Sequence, residues 1–241
     1  MDPFLSIVVP AHNEQARLPV SLPRIREFLE AQNFAWEVVV VDSGSTDRTA
    51  EVVRQLDVGR PWLRLVQVER PGKGLAVRAG MLAARGAYRF ICDADLSMPI
   101  EEVTRFFPPQ GPAVDIAIAS REAPGATRYD EPAFRHLVGR TFNLLVRWIA
   151  IPEIQDTQCG FKCFRAEAAQ DLFRVQRLDG WTFDVEVLYV ALRRGYRVAE
   201  IPISWYHQPG SRVRVWRDSL TMFADLFRIR RNWRSGVYAP R

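Results

Sequence analysis

Cysteine and histidine are scarce in this chain, with three of each among 241 residues. The cysteines, Cys92, Cys159 and Cys163, are odd in number and thinly spread, which argues against a disulfide framework. Cys159 and Cys163 lack the second pair that a structural zinc site needs, so they read as small core residues. The histidines are too far apart to form a metal cluster. No uncharged apolar run reaches the ~18 residues of a membrane span. The opening "MDPFLSIVVP" has no basic region before its apolar run, so no secretory leader is expected and a cytosolic chain fits. Internal repeats and low-complexity linkers are also lacking.

What the chain does have is apolar residues: 48% are hydrophobic, enough for one domain with a full core. The charge balance is basic, 33 Lys and Arg against 28 Asp and Glu. That admits nucleic acid, a membrane surface or a phosphorylated substrate as partner. The excess sits at the C-terminus, where Arg212, Arg214, Arg217, Arg228, Arg230, Arg231, Arg234 and Arg241 stand against Asp218 and Asp225.

The first half alternates strand-like and helix-like segments. "FLSIVVP", "WEVVVVD", "LRLVQVE", "YRFICDA" and "VDIAIAS" read as strands, the β-branched ones as strands covered on both faces. Between them "RLPVSLPRIREFLEAQ", "STDRTAEVVRQL" and "KGLAVRAGMLAARG" read as helices. The second has a capping residue at its head, and the third closes on Gly86. This alternation predicts an α/β fold, a mainly parallel sheet with flanking helices. Then come a loop, "REAPGATRYDEP", a long helix, "AFRHLVGRTFNLLVRWIA", an interruption, "DTQCGFKCF", a helix, "DVEVLYVALRRG", and a late strand, "YRVAEIPISWY". A last helix is expected from about Arg214 to Trp233.

In an open α/β sheet, ligands bind at the carboxyl ends of the strands. Three strand ends carry acids there: "VVPAHNE", "VVVVDSGSTD" and "FICDADLS". Asp93 and Asp95 are two apart, so in extended backbone both side chains point to one face and can reach one hard divalent cation. The plainer reading is a turn whose aspartates cap the next helix. Asp42, in "DSGSTD", either accepts an N–H or ribose hydroxyl of a nucleotide or belongs to a Gly turn and N-cap. A nucleotidyltransferase is disfavoured, because "VVPAHNE" has no glycine where a Gly-rich loop should follow the first strand.

The segments "VVPAHNE", "VDSGSTD", "RPGKGLAVRAG", "CDADLS", "DTQCGFKCF", "WTFDVEVLYVALRRGYRVAEIPISW" and "HQPGSRV" occur in this order over Ser6–Val213. Together they resemble the inverting GT-A glycosyltransferases of family 2, in particular the branch of dolichyl-phosphate β-glucosyltransferases and their prokaryotic polyprenyl-phosphate relatives. The resemblance implies a GT-A catalytic domain over residues 1–213, a UDP-glucose donor, a polyprenyl (dolichyl) phosphate acceptor, a β-linked product, and Mg²⁺ or Mn²⁺ as cofactor. It also implies roles residue by residue. Pro10, Asn13 and Glu14 frame the nucleotide, Asp42 holds the base, and Lys73 lies near the donor. Asp93 and Asp95 bind the metal. Arg121 and Arg140 hold the acceptor phosphate. Asp184 and Glu186 lie near the transferred sugar, with Asp184 binding a hydroxyl or steadying the anomeric centre. His207, Ser211 and Arg212 belong to a loop that closes over the diphosphate. Two positions depart from the pattern. Ser97 stands where the mannosyl branch has a metal-binding glutamine, and Ser43 replaces the second acid of "DDGS", so the third metal ligand and the uridine-side contact stay open. Another donor, GDP-mannose or UDP-GlcNAc, or a glycan acceptor, is compatible with the same motifs.

Residues 214–241 read as an amphipathic basic segment. On a helix, Trp216, Leu220, Phe223 and Phe227 form one stripe, with Met222, Leu226, Ile229 and Trp233 beside it and Arg214, Arg217, Arg228 and Arg231 opposite. This is the composition of an interfacial helix, and it suits a protein peripheral on the cytoplasmic face of a membrane. A helix packed on its own domain is the competing reading. Nucleic acid is not an expected partner, since the acidic strand ends have no place in such a groove.

Overall fold

The computed structural model describes residues 2–56, 62–208 and 215–239. Its strands are β1 (Leu5–Ala11), β2 (Trp36–Ser43), β3 (Leu63–Val68), β4 (Tyr88–Ile91), β5 (Ile116–Ser120), β6 (Thr127–Tyr129), β7 (Lys162–Arg165), β8 (Val198–Pro202) and β9 (Ser204–Tyr206). Its helices are α1 (Leu18–Glu30), α2 (Thr49–Leu56), α3 (Lys73–Ala83), α4 (Ala133–Ile149), α5 (Ala166–Val175), α6 (Phe183–Arg193) and α7 (Val215–Arg234), with a 3₁₀ helix at Ile100–Phe106.

Seven strands form one sheet in the order β3-β2-β1-β4-β7-β5-β8, and β6 pairs with β9 in a small second sheet. Period-2 alternation sorts the central strands. Ile7, Val9, Val38 and Val40 pack with α1 and the 3₁₀ helix on one face, while Val8, Val39 and Val41 pack with α3 on the other. With both faces covered, the strands can be apolar throughout, as expected.

The second half departs from the sequence reading in three places. "DTQCGFKCF" is not merely an interruption: it contains β7, which lies antiparallel between β4 and β5. "YRVAEIPISWY" divides at Ile203 into β8 and β9, and the "REAPGATRYDEP" loop holds the short β6 that β9 joins. Ala166–Val175, not read as an element, is a helix burying Ala168, Ala169, Leu172 and Phe173.

The end of the chain splits its apolar face. Met222, Leu226 and Ile229 of α7 are buried in the core, and Trp233 meets Tyr189 edge-on at 6.1 Å. Each such buried side chain contributes about 1.5–3 kcal/mol. Arg230 Nη1 donates to the Ile149 carbonyl at 3.1 Å, fastening α7 to the end of α4. Leu220, Phe223 and Phe227 remain exposed, and α4 exposes Leu144 and Trp148, the latter 85% accessible. Among the described residues, no helix is long and apolar enough to cross a membrane.

Candidate active site

The site grows from the place where β1 and β4 part. Their ladder runs from Leu5↔Tyr88 to Val8↔Ile91, and Cys92 N–H still donates to the Val8 carbonyl at 2.9 Å. The next β1 residue facing β4 is Pro10, which has no N–H to donate. Beyond it β4 turns away, carrying Asp93 and Asp95 onto the strand-end edge. Leu96 completes the turn at φ 49°, a left-handed conformation that branched side chains rarely adopt. Ser97 N–H donates to Asp95 Oδ1 at 3.1 Å.

Asp93 and Asp95 are close enough to disturb one another. Burial, then the charge of Asp93, pushes the Asp95 carboxyl above its usual range, and the Ser97 hydrogen bonds oppose the shift only in part. A pair in that state favours a cation. Two carboxylates on an open edge fit a divalent ion that takes its remaining ligands from phosphate and water. Among the described residues no closed cluster of three or more metal-ligating side chains exists, so the pair makes an incomplete shell of this kind.

Two lysines converge on the same edge. Lys73, first residue of α3, pairs with Asp93 Oδ1. Burial works against its ammonium, but Asp93, then Asp184 and Asp95, hold it above the ordinary lysine range. Lys162 lies in the middle of the sheet, 1% exposed, with Nζ 2.7 Å from Asp184 Oδ1 and bonded to the Cys159 carbonyl. Burial raises the Asp184 carboxyl, and Lys162 pulls it back. The antiparallel register, with Ile91 opposite Lys162, carries Gly160 to Asp93. A Cβ on Gly160 would stand 2.0 Å from Asp93 Oδ2, so any larger residue there must push the Asp93 carboxylate aside. Sequence reading missed Lys162, Gly160 and Asp156 as site-building residues, although all three lie in the "DTQCGFKCF" segment it quoted.

The nucleotide side is a set of loop-to-loop clamps. Asn13, at φ 51°, turns its Oδ1 to accept from Thr46 N–H at 2.7 Å and Asp47 N–H at 3.3 Å. Glu14 N–H donates to Thr49 Oγ1 at 2.7 Å, and its carboxylate pairs with Arg17. Asp42 is nearly buried and accepts from Ser45 N–H and from Gln67 Nε2, both at 3.3 Å. Ser43 now has a physical account. Its hydroxyl donates to the Arg70 carbonyl at 2.8 Å and accepts from Gly72 N–H at 3.0 Å. An aspartate could accept but not donate there, so the hydroxyl anchors the loop that delivers Lys73.

Arg121, at the end of β5, is held by buried Asp156. Nε and Nη2 donate to it at 2.7 and 3.0 Å, and the Arg121 backbone N–H at 3.0 Å. The pairing overcomes burial and holds the Asp156 carboxyl well below the usual carboxylate range. Arg121 also lies over the Trp205 ring, 5.5 Å from its centroid, and Trp205 is 5.8 Å from the His207 ring. Tyr206 N–H donates to the Ser97 carbonyl at 2.8 Å, which ties this group to the Asp93–Asp95 turn. Arg140 is exposed on α4, one turn beyond His136, whose Nε2 lies 3.7 Å from Glu122 Oε1. Ser211 and Arg212 lie outside the described residues. Glu186 corrects the sequence reading: it is fully buried, accepts from Arg177 and Leu178 N–H and from the Tyr238 hydroxyl at 2.6 Å, and so clamps a loop instead of facing a sugar.

Known proteins resemble this chain in sequence and fold. The family model "Glycosyl transferase family 2" matches residues 6–173. A Saccharomyces cerevisiae dolichyl-phosphate β-glucosyltransferase is 33% identical over 98% of this chain and 76% of its own length. The Homo sapiens dolichyl-phosphate β-glucosyltransferase is 34% identical over 97% of this chain and 77% of its own. In fold, the chain resembles glucosyl-3-phosphoglycerate synthase from Mycobacterium tuberculosis, crystallised with Mn²⁺, UDP and glucosyl-3-phosphoglycerate. That match has a TM-score of 0.68 at 19% identity, covering 94% of this chain and 80% of the other. With the sheet order, the acidic edge and the sequence match in agreement, the chain belongs to glycosyl transferase family 2 and has the GT-A fold.

Proposed function

We propose that this hexosyltransferase moves glucose from UDP-glucose to a polyprenyl (dolichyl) phosphate, giving the β-linked lipid-phosphate sugar. The observation that carries the reading is the strand-end edge on which Asp93, Asp95, Lys73 and Asp184 converge, in a chain matched over nearly its whole length by dolichyl-phosphate β-glucosyltransferases.

In this reading Asp42 accepts an N–H of the base, and Asn13 keeps the facing loop in place. Asp93 and Asp95 would hold a divalent ion, Mg²⁺ or Mn²⁺, which would supply positive charge for the leaving diphosphate. The acceptor phosphate is already an anionic nucleophile, so no strong base is required. Its oxygen attacks the anomeric carbon from the face opposite the diphosphate. The bond to UDP breaks with its electron pair leaving on the β-phosphate oxygen, and an α-linked donor gives a β-linked product. Arg121, with Nε and Nη2 fixed by Asp156, presents its remaining edge to the acceptor phosphate, and Arg140 extends the cationic approach. Asp184, steadied by Lys162, is assigned to a sugar hydroxyl or to the anomeric centre. His207, Ser211 and Arg212 are assigned to the donor diphosphate on the family resemblance.

The test is a donor screen. Radiolabelled UDP-glucose, GDP-mannose and UDP-GlcNAc are each offered with polyprenyl phosphate, and extractable glycolipid is counted. The expected product forms from UDP-glucose and disappears in excess chelator. Product from another donor replaces the sugar assignment, and full activity in chelator removes the metal.

The lipid acceptor calls for a membrane-facing surface, and the exposed Leu220, Phe223 and Phe227 of α7, with Arg228 and Arg231 on the same helix, supply one. Replacing all three apolar residues with serine is expected to weaken binding to anionic vesicles and to slow transfer to a long polyprenyl phosphate severalfold. Transfer to a short, soluble isoprenyl phosphate should change little. Because these side chains lie outside the core, the fold should survive. Unchanged vesicle binding would remove the membrane role.

A further inference from the structure

One oxygen of Asp93 already has a charged partner from within the chain. Its Oδ1 pairs with the Lys73 ammonium, and its Oδ2 faces Gly160, where a Cβ would come within 2.0 Å. A cation reaching this edge meets a carboxylate that has its counter-ion. The backbone of Lys73 is not free to move aside. Gly72, just before it, is bonded to Ser43 Oγ at 3.0 Å, and a Cβ there would stand 2.7 Å from the Asp179 carbonyl oxygen. Only the four-carbon side chain can swing.

We infer that Lys73 is a built-in stand-in for the metal: it holds Asp93 in the donor-free protein and releases it to the ion when a nucleoside diphosphate gives the ammonium another anionic partner. The inference rests on the proposed role of Asp93 as a metal ligand. One charge then couples two binding events. The ion alone must displace the lysine from its pairing with Asp93, so it binds weakly. With the diphosphate present, the ammonium moves onto phosphate oxygens and Asp93 opens to the ion. By linkage the ion must tighten nucleotide binding by the same factor. Lysine suits this exchange, being a compact charge on a flexible stem, whereas an arginine fork would grip the carboxylate through two bonds. The site therefore keeps its carboxylates in place between turnovers without recruiting stray cations.

Mn²⁺ binding, measured by calorimetry and by the electron paramagnetic resonance of the free ion, tests this with and without saturating UDP. The proteins are the wild type, Lys73→Met and Asp93→Asn, with Lys73→Gln in reserve should the methionine variant misfold by circular dichroism. The wild type is expected to bind Mn²⁺ at least about tenfold more tightly with UDP than without it. Lys73→Met should bind Mn²⁺ alone about tenfold more tightly than the wild type, and UDP should tighten it further by a smaller factor than in the wild type, the part that remains coming from phosphate ligands. Asp93→Asn should lose the ion under both conditions. If the lysine variants bind Mn²⁺ alone no more tightly than the wild type while Asp93→Asn abolishes binding, the stand-in role is overturned and the metal assignment stands. If Asp93→Asn binds Mn²⁺ like the wild type, the metal assignment falls and the stand-in falls with it.

Discussion

Gly160→Ala is expected to lower transfer by about 100-fold or more while the protein stays folded. The new methyl would occupy a point 2.0 Å from Asp93 Oδ2 and 2.7 Å from its Cγ, so the carboxylate must swing away. Asp93 is held on its other side by Lys73, so the displacement also pulls apart the charge arrangement at the edge. Overpacking of this kind costs about 1–3 kcal/mol of stability, which a domain of this size tolerates. Catalysis is less forgiving, because a misplacement of roughly 1 Å in a positioned group can cost about 100-fold. The measurement is kcat and KM together with the Mn²⁺ concentration for half-maximal rate. A raised metal requirement and lowered kcat, with a melting temperature down by only a few degrees, is the expected pattern. Wild-type kinetics would mean that Gly160 and Asp93 do not touch.

Asp156→Ala is expected to destabilise the protein by about 3–5 kcal/mol, since it strands the Arg121 guanidinium without its buried partner. At the usual scaling that lowers the melting temperature by on the order of 10 °C. Asp156→Asn keeps the shape and an acceptor but removes the charge, so it should fall between alanine and wild type. The pH dependence has a definite sign. Asp156 is fully buried, and pairing with Arg121 depresses its carboxyl in the folded chain below the unfolded value near ~3.9. Its contribution is therefore fully present above the unfolded value and is lost as pH falls from about 4 toward the folded value. Thermal unfolding followed from pH 7 down to pH 3 should narrow the gap between the wild-type and Asp156→Asn curves below about pH 4 without closing it. Curves that stay parallel would contradict the pairing.

The sheet's first half was legible because its physics is local. Val38–Val41 and Ile7–Val9 are apolar at consecutive positions, which only a strand covered on both faces tolerates in so short a run. β7 escaped because its first residue is Lys162. A buried lysine in a central strand reads as a break, and its justification, Asp184, lies far along the chain. Asp93, Asp95 and Asp42 were visible as strand-end acids, and Lys73 and Asn13 came with the family resemblance. What surrounds Asp93 was not visible, because Gly160 reaches it only through strand register. Glu186 misled for the converse reason. Two acids in "FDVE" look alike in sequence, yet α6 turns Asp184 toward Lys162 and Glu186 toward the 177–178 loop.

The antiparallel placement of β7 also sets an order of assembly. β1 to β4 are adjacent in the sheet and come from one continuous stretch, residues 5–91, so they can pair with little chain to close. β7 is drawn from beyond β5, β6 and α4, and must slot between β4 and β5 from that distance. Only on its insertion does Gly160 meet Asp93 and Lys162 come level with Ile91. A chain in which β7 is not yet in place would have the Asn13–Thr46 clamp within its first half but not the Gly160–Asp93 approach.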